Sequence, residues 1–560
     1  MALPNEKILE LVKGSGLLKE ANLKKVDDLV QKSKNSNLAT ALIEAGILTE
    51  EQMGAIIAGG YNVPFISLSK VSILPEVARI IPDKVAKRTK SFTFARGPDG
   101  VKVALADPSN KAVLSMVARK TGERAIPYFA FEQDIEGVAG LYKKALQKTI
   151  DELLREYVKQ FAIGGEAPIA KVVDELVASA YNDRASDIHI EPEEETSLIR
   201  FRIDGVLQDV VRVPSSLHDR IITRIKVLSN LRTDEHLSAQ DGKMQEHLPE
   251  EDLDIRVSII PVSAGEKVVL RLLSSRSREY TLPDLGTNEA DLAKVTKAYN
   301  KSYGMIISSG PTGSGKTTSI YAILKVLNTR EKNIMTIEDP IEYRIIGANQ
   351  VQVNTKTNLT FANGLRSILR QDPNIIFVGE IRDSETAGIA VNAALTGHLV
   401  LTTLHTNDAA TAIPRLTDMK VEPFLVASTV NVIIAQRLVR EICTSCREAV
   451  EEDAVELAKH LPKNDIVKFF GNTPKIKVYK GAGCKVCRNT GYQGRIGIFE
   501  VLEVTKGIRK LILEKTDADI IEQAAIAEGM KTMLEDGLEK VAKGLTTIEE
   551  VLRATKVEST

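Results

Sequence analysis

Two kinds of apolar pattern divide this chain. Over the first 65 or so residues, apolar side chains recur three or four positions apart in Leu23 to Val30, Leu38 to Ala45 and Glu50 to Ile57, punctuated by Gly46 and Gly59, which predicts short helices. The next stretches, Pro64 to Leu68, Ser91 to Ala95 and Val101 to Ala106, read as strands, with the turn Pro98-Asp99-Gly100 between the last two. A polar helix near 146–160 then leads to Gly164-Gly165-Glu166-Ala167-Pro168, a hinge composition. A second α/β stretch follows, with a helix near Val172 to Ala180 and strands at Ile188 to Ile190, Leu198 to Ile203 and Val268 to Leu272. Ser274 to Gly286, with Pro283, reads as a second linker.

Beyond that linker the pattern changes to short apolar runs, the signature of strands buried on both faces of a parallel sheet. Met305-Ile306-Ile307 ends at Gly310-Pro311-Thr312-Gly313-Ser314-Gly315-Lys316-Thr317-Thr318. This matches the full phosphate-loop template: glycines allow amides to converge on a phosphate, Lys316 reaches the β and γ phosphates, and Thr317 offers a hydroxyl to Mg²⁺. Helical spacing from Thr318 to Leu327 places a helix N-terminus behind the loop, where anions are favoured. Ile375 to Val378 ends at Gly379-Glu380, and Glu380 is the candidate to hold and deprotonate an attacking water. Ile334 to Ile337 ends in Glu338-Asp339-Pro340-Ile341-Glu342, an acidic cluster within reach of Mg²⁺ or water; the alternative is a structural turn. Leu399 to Leu401 ends in Thr402-Thr403-Leu404-His405, where His405 is placed to sense a γ-phosphate and His398 reads as structural.

Phosphoryl transfer also calls for cations. The strand period of two puts Arg200 and Arg202 on one face of Arg200-Phe201-Arg202-Ile203, although a solvated strand face explains them equally well. Arg366 and Arg370, four apart, share a helical face.

Composition bounds the remaining possibilities. A chain of 560 residues exceeds one hydrophobic core. Its 74 basic and 75 acidic side chains cancel, it has no tryptophan, and aromatics are 4%, so neither an electrostatic nor a stacking case for nucleic-acid binding arises. No stretch is apolar enough to cross a bilayer and the opening residues lack a signal-peptide core, which leads us to expect a cytoplasmic enzyme that partners recruit to a membrane. The four cysteines form two CxxC pairs, Cys443/Cys446 and Cys484/Cys487, a strong signal for a closed tetrahedral zinc site.

Together these motifs resemble the secretion-superfamily ATPases that drive type IV pilus assembly and type II secretion. The resemblance rests on GPTGSGKTT, TIEDPIE from Thr336 to Glu342, IIFVGEIRD from Ile375 to Asp383 and TGHLVLTTLHTNDA from Thr396 to Ala409. It also rests on ASDIHIEP, RFRIDG, GEKVVLRLL and GYQGRIGIFE. It implies a multidomain α/β protein: an N-terminal secretion-ATPase domain, helical then α/β, at 1–148; a linker at 149–168; a smaller PAS-like domain at 169–275; a linker at 276–289; and a RecA-like ATPase domain at 290–560, with a zinc subdomain at about 441–490.

The resemblance further implies a homohexamer that binds ATP between the two domains of its ATPase module. Glu380 is then the catalytic glutamate, Lys316 and Thr317 the phosphate and Mg²⁺ contacts, His405 the His-box residue, and Glu338 and Glu342 members of the acidic box. Arg200 comes from the smaller domain, and Arg366, Arg370 and Arg495 from the catalytic one. Ser215 stands where some relatives carry a second phosphate-facing arginine. The opening helix lacks the motif by which some relatives bind cyclic di-GMP, so that ligand is not expected. The four cysteines and the amino-terminal domain favour assembly of a pilus over its retraction, with an inner-membrane platform protein, reached directly or through a cytoplasmic adaptor, as partner and no direct membrane insertion. A type II secretion motor is the near alternative and a nucleic-acid motor the distant one.

Overall fold

The computed structural model describes residues 5–14, 38–44, 47–138 apart from short gaps, 169–274 apart from 250, and 280–555 apart from 485. The expected helix at Leu23 to Val30, the polar helix near 146–160 and the hinge at 164–168 lie outside the described residues. The rest falls into two compact units: Met1–Glu152 with Gly483–Thr490, and Leu153–Ala482 with Gly491–Thr560.

In the first unit the helices Asn5–Gly14, Leu38–Glu44 and Glu50–Gly60 pack through Ile8, Val12, Leu38, Leu42, Met53 and Ile57, the residues that set the helical period. Thr49 caps the third helix, accepting from the Gln52 amide at 3.2 Å while the Gln52 side-chain oxygen accepts from the Thr49 amide at 3.0 Å. A three-stranded sheet follows: β1 (Ser91–Gly97), β2 (Gly100–Leu105) and β3 (Ala125–Phe129), in the order β1-β2-β3. The expected strand at Pro64 to Leu68 reduces to one bridge, Phe65 to Phe129: Phe65 is used for aromatic packing against Phe129 and Phe131 rather than for a ladder.

The second unit holds two large sheets. The first is antiparallel, β6-β5-β4-β9-β8-β7, built from β4 (Ala185–Pro192), β5 (Thr196–Ile203), β6 (Val206–Pro214), β7 (Gln240–His247), β8 (Asp252–Val262) and β9 (Gly265–Leu273). Its buried positions, among them Ile188, Ile199, Phe201, Ile255, Val257 and Leu270, alternate with polar ones, and helices Ile169–Asn182 and Ser215–Leu228 pack nearby through Val173, Leu176, Ile221 and Ile225. One transverse row of the ladder brings Arg202, Asp187, Arg271, Arg256 and Lys243 side by side across five strands.

The second sheet comprises β10 (Gly304–Ser309), β11 (Ile334–Glu338), β12 (Ala348–Gln352), β13 (Ile375–Val378), β14 (Leu399–Leu404) and β15 (Val430–Ile442). Between β15 and the sheet's last strand the chain makes a separate hairpin of β16 (Arg447–Asp453) and β17 (Lys475–Gly481), then returns as β18 (Tyr492–Glu503). The order is β12-β11-β13-β14-β10-β15-β18, parallel except for β18. Residues within its strands alternate between two cores. Met305, Ile307, Ile376, Val378 and Val400 face one; Ile306, Ile375, Phe377 and Leu401 face the other, which the phosphate-loop helix Lys316–Leu327 covers with Ile320, Ile323 and Leu324. All the parallel strands end on one side, so β10, β11, β13 and β14 deliver their exit residues to a common crevice.

Candidate active site

The phosphate loop leaves β10 with Gly310, Gly313 and Gly315 at positive φ. At Gly310 a Cβ would sit 2.5 Å from the Gln436 carbonyl oxygen, so this backbone path requires glycine. Gln436, in the apolar run of β15, donates through Nε2 to the Ser314 carbonyl at 2.8 Å and so fixes the loop from a neighbouring strand. Sequence reasoning missed this residue. Its signal is a lone amide within Ile433-Ile434-Ala435-Gln436.

Lys316 is buried at the start of the helix, and its ammonium donates to the carbonyls of Gly310 at 2.7 Å and Pro311 at 3.0 Å. Burial lowers its pKa to about 8, against the pull of Glu380. Thr317 and Thr318 occupy the first turn of the same helix, next to Lys316.

Glu380 leaves β13 beside this lysine. Its carboxylate pairs with Arg382 at 2.6 Å and faces His405 Nε2 at 3.4 Å. The loop around it is set by Thr403 Oγ1, which donates to the Gly379 carbonyl at 2.6 Å. Burial and the Lys316 ammonium push the His405 imidazole below its ordinary pKa, while Glu380 opposes the shift. The structure therefore brings Lys316, Glu380 and His405 together from three strand ends.

The acidic box divides into two environments. Glu338 is 2% exposed and turned inward, accepting from Tyr321 Oη, from Thr336 Oγ1 at 2.6 Å and from Gln350 Nε2 at 3.1 Å. Burial raises its pKa against these bonds. Because Tyr321 lies on the phosphate-loop helix and packs edge-on against Tyr343, Glu338 braces that helix against the acidic box. Glu342 faces outward and meets Arg256 of β8 at 3.3 Å; Arg256 also donates to the Ile341 carbonyl at 2.7 Å. Arg256 escaped the sequence reading because Leu253-Asp254-Ile255-Arg256-Val257 looks like any half-solvated strand.

The other arginines stand apart from this cluster. Arg200 pairs with Glu191 at 2.7 Å, and Lys267 reaches the same carboxylate at 2.8 Å. Burial of Glu191 would raise its pKa, but the bonds from Arg200 and Lys267 outweigh this and bring it to about 2. Arg366 pairs with Glu385 at 2.5 Å, Arg370 donates to the Arg366 carbonyl at 3.0 Å, and Arg495 is exposed on β18. Ser215 opens the helix Ser215–Leu228.

The cysteines close into one cluster. Cys443 and Cys446 lie between β15 and β16, and Cys484 and Cys487 between β17 and β18; pairing of Arg447 with Gly481 and of Ile442 with Tyr492 explains how pairs so distant in sequence meet. The four sulfurs lie within 4.8 Å of one another. Cys484 and Cys487 are 3.7 Å apart at sulfur, against about 3.8 Å for the edge of a tetrahedral zinc–thiolate site. The Cys484 amide donates to the Cys487 sulfur at 3.1 Å, as suits a thiolate. The donor set fits zinc.

A parallel sheet with a phosphate loop at one strand exit and a glutamate and histidine at two others defines a phosphate-loop nucleotide hydrolase. Residues 163–553 match the family model described as "Type II/IV secretion system protein", and residues 61–144 match the MshEN domain. The chain belongs to the type II/IV secretion ATPase family, whose activity is ATP hydrolysis.

It is 37% identical to the type IV pilus assembly ATPase PilB of Myxococcus xanthus, over 97% of this chain and 98% of that protein. It is 45% identical to the type II secretion system protein HxcR of Pseudomonas aeruginosa, over 70% of this chain and 78% of that one. Among solved structures, the Yersinia pseudotuberculosis ATPase DotB matches 69% of this chain and 93% of its own at a TM-score of 0.51 and 20% identity, a likeness of fold. Among the described residues no helix is long and apolar enough to cross a membrane.

Proposed function

We propose that this protein is the ATP-driven motor of type IV pilus assembly, working as a homohexamer on an inner-membrane platform protein, directly or through a cytoplasmic adaptor, at the cytoplasmic face of the membrane. The observation that carries this reading is the extent of the match. The pilus-assembly relative aligns with nearly the whole chain, whereas the secretion relative, at higher identity, aligns with 70% of it. Type II secretion is the second reading, favoured by that higher identity. A nucleic-acid motor is disfavoured by the balanced charge. The domain boundaries inferred above serve this reading, with 169–275 and 290–560 as the two parts of the motor.

In this mechanism the phosphate-loop amides and Lys316 bind the triphosphate, and Thr317 would hold Mg²⁺, which when bound offsets the charge on the phosphates. Glu380 accepts a proton from the attacking water, and His405 orients its carboxylate. Glu338 braces the helix behind the phosphate loop, while Glu342 answers to Arg256 of the smaller domain. Arg200, Arg366, Arg370 and Arg495 stand outside the cluster within one chain and would act on a neighbouring subunit's nucleotide. Cys443, Cys446, Cys484 and Cys487 would hold a structural Zn²⁺. Pull-down of the full chain from native membranes tests the destination: capture of a pilus platform protein supports it, and capture of a type II secretion platform instead contradicts it.

A further inference from the structure

Strand β18 carries a carboxylate where its pattern calls for an apolar residue. In Ile498-Phe499-Glu500-Val501-Leu502 every neighbour is a core residue, and Glu500 is itself 3% exposed. A buried carboxylate persists only where partners hold it.

Register identifies those partners. Glu500 pairs with Ala435, Ala435 with Ser309, and Ser309 with Leu404, so one transverse row runs from β18 to the last residue of the phosphate-loop strand and on to the strand that leads into His405. Residues in such a row project to the same face. On that face the segment after His405 crosses the sheet ends. Ser309 Oγ donates to the Asp408 carbonyl at 3.4 Å, and Glu500 Oε1 accepts from the Ala409 amide at 2.8 Å. The small Ala435 between them leaves room for both. Thr406 Oγ1 donates to the Asp408 carbonyl at 2.9 Å, and Asp408 Oδ1 accepts from the Thr411 amide at 2.8 Å, which fixes the turn itself.

The backbone of Met533, the first residue of helix Met533–Ala542, stabilises the Glu500 carboxylate electrostatically. The same helix grips the adjacent residue, since Asp536 Oδ2 accepts from the Phe499 amide at 2.8 Å.

We infer that Glu500 is a positioning residue for ATP hydrolysis, tying the segment that carries His405 to the phosphate-loop strand and to the C-terminal helix Met533–Ala542. Movement of that helix then reaches the water site through the Ala409 amide. The inference rests on the reading of His405 given above.

The groups around Glu500 make this tie sensitive to protonation. Its carboxyl faces the Ala409 and Met533 amides, Asp408 on the segment after His405, and Glu522 on helix Ala518–Ala527. Burial foremost, with Asp408 and Glu522, raises its pKa to about 7 against the two amides.

Full-length Glu500→Gln keeps an oxygen for the Ala409 amide, and Glu500→Met keeps the length without an acceptor. E500M is expected to lower kcat at least about tenfold with KM for ATP within about threefold, and to speed deuterium exchange over residues 404–411. E500Q is expected to restore kcat to within about threefold and exchange to the wild-type rate, and to lose a change in kcat near pH 7 that the wild type shows. Wild-type kcat and exchange in E500M, or an E500Q as impaired as E500M, overturns the inference. Should E500M not fold, E500Q decides: loss of the pH 7 change supports the tie, and a profile superimposable on the wild type contradicts it. Faster exchange in E500M with unchanged kcat overturns the inference through the His405 reading, and wild-type kcat in His405→Ala identifies that reading as the failed step.

Discussion

His405 Nε2 lies 3.4 Å from Glu380 Oε2, and the two residues come from adjacent strand ends of the parallel sheet. On its other side the Glu380 carboxylate meets Arg382, so its orientation is defined by a guanidinium and an imidazole. Since burial and Lys316 depress the His405 pKa, the imidazole is neutral at neutral pH and acts by orientation rather than charge. His405→Ala should therefore lower kcat by about ten- to a hundredfold while leaving the Kd for ATP within about threefold. A variant that loses affinity as much as turnover would contradict this role.

The depressed pKa of Lys316 has a measurable sign. The free ammonium is fully present below pH 7 and is lost as pH rises through about 8. Phosphate oxygens favour the charged form, so nucleotide binding should take up protons at pH 8 and above. Calorimetry in buffers of different ionisation enthalpy reads that uptake directly, and Lys316→Ala should abolish it together with tight binding.

Arg256 and Arg200 separate two roles for the smaller domain. Arg256 touches the acidic box, whereas Arg200 is held by Glu191. Arg256→Ala should reduce turnover about tenfold or more with little change in melting temperature. Arg200→Ala, which breaks a partly exposed pair, should cost on the order of 1 kcal/mol in stability. Because Arg200 would act on a neighbouring subunit's nucleotide, Arg200→Ala should also lower turnover in the assembled hexamer, and wild-type turnover there would contradict that role.

The cysteine cluster predicts about one zinc per chain by metal analysis. Cys484→Ser should lose the metal and lower the melting temperature, because the site joins the loop between β15 and β16 to that between β17 and β18. Metal loss without any change in stability or assembly would exclude a structural site.

Much of the site was legible because its chemistry sits at strand ends, where short apolar runs stop at Gly310, Glu380 and His405. The cysteine pairs were legible for a similar reason: their spacing is itself the signal. Glu338 shows where such reading stops. Its inward turn depends on Tyr321 and Gln350, which no local pattern connects to it. Strands β6, β7 and β8 also went unread: β7 is almost entirely polar, β6 breaks its apolar run with Gln208, Asp209 and Arg212, and β8 alternates polar with apolar residues as a half-solvated strand does. Arg256 was hidden with them. Gln436 and Glu500 left a fainter trace, as single polar residues inside apolar strands whose partners lie far away in sequence.

The central claim is that this crevice hydrolyses ATP with Glu380 as the base. Steady-state phosphate release by Glu380→Gln, measured beside its equilibrium binding of ATP, tests it most directly. The account predicts wild-type binding with turnover reduced by about a hundredfold or more. Wild-type turnover in that variant would contradict it.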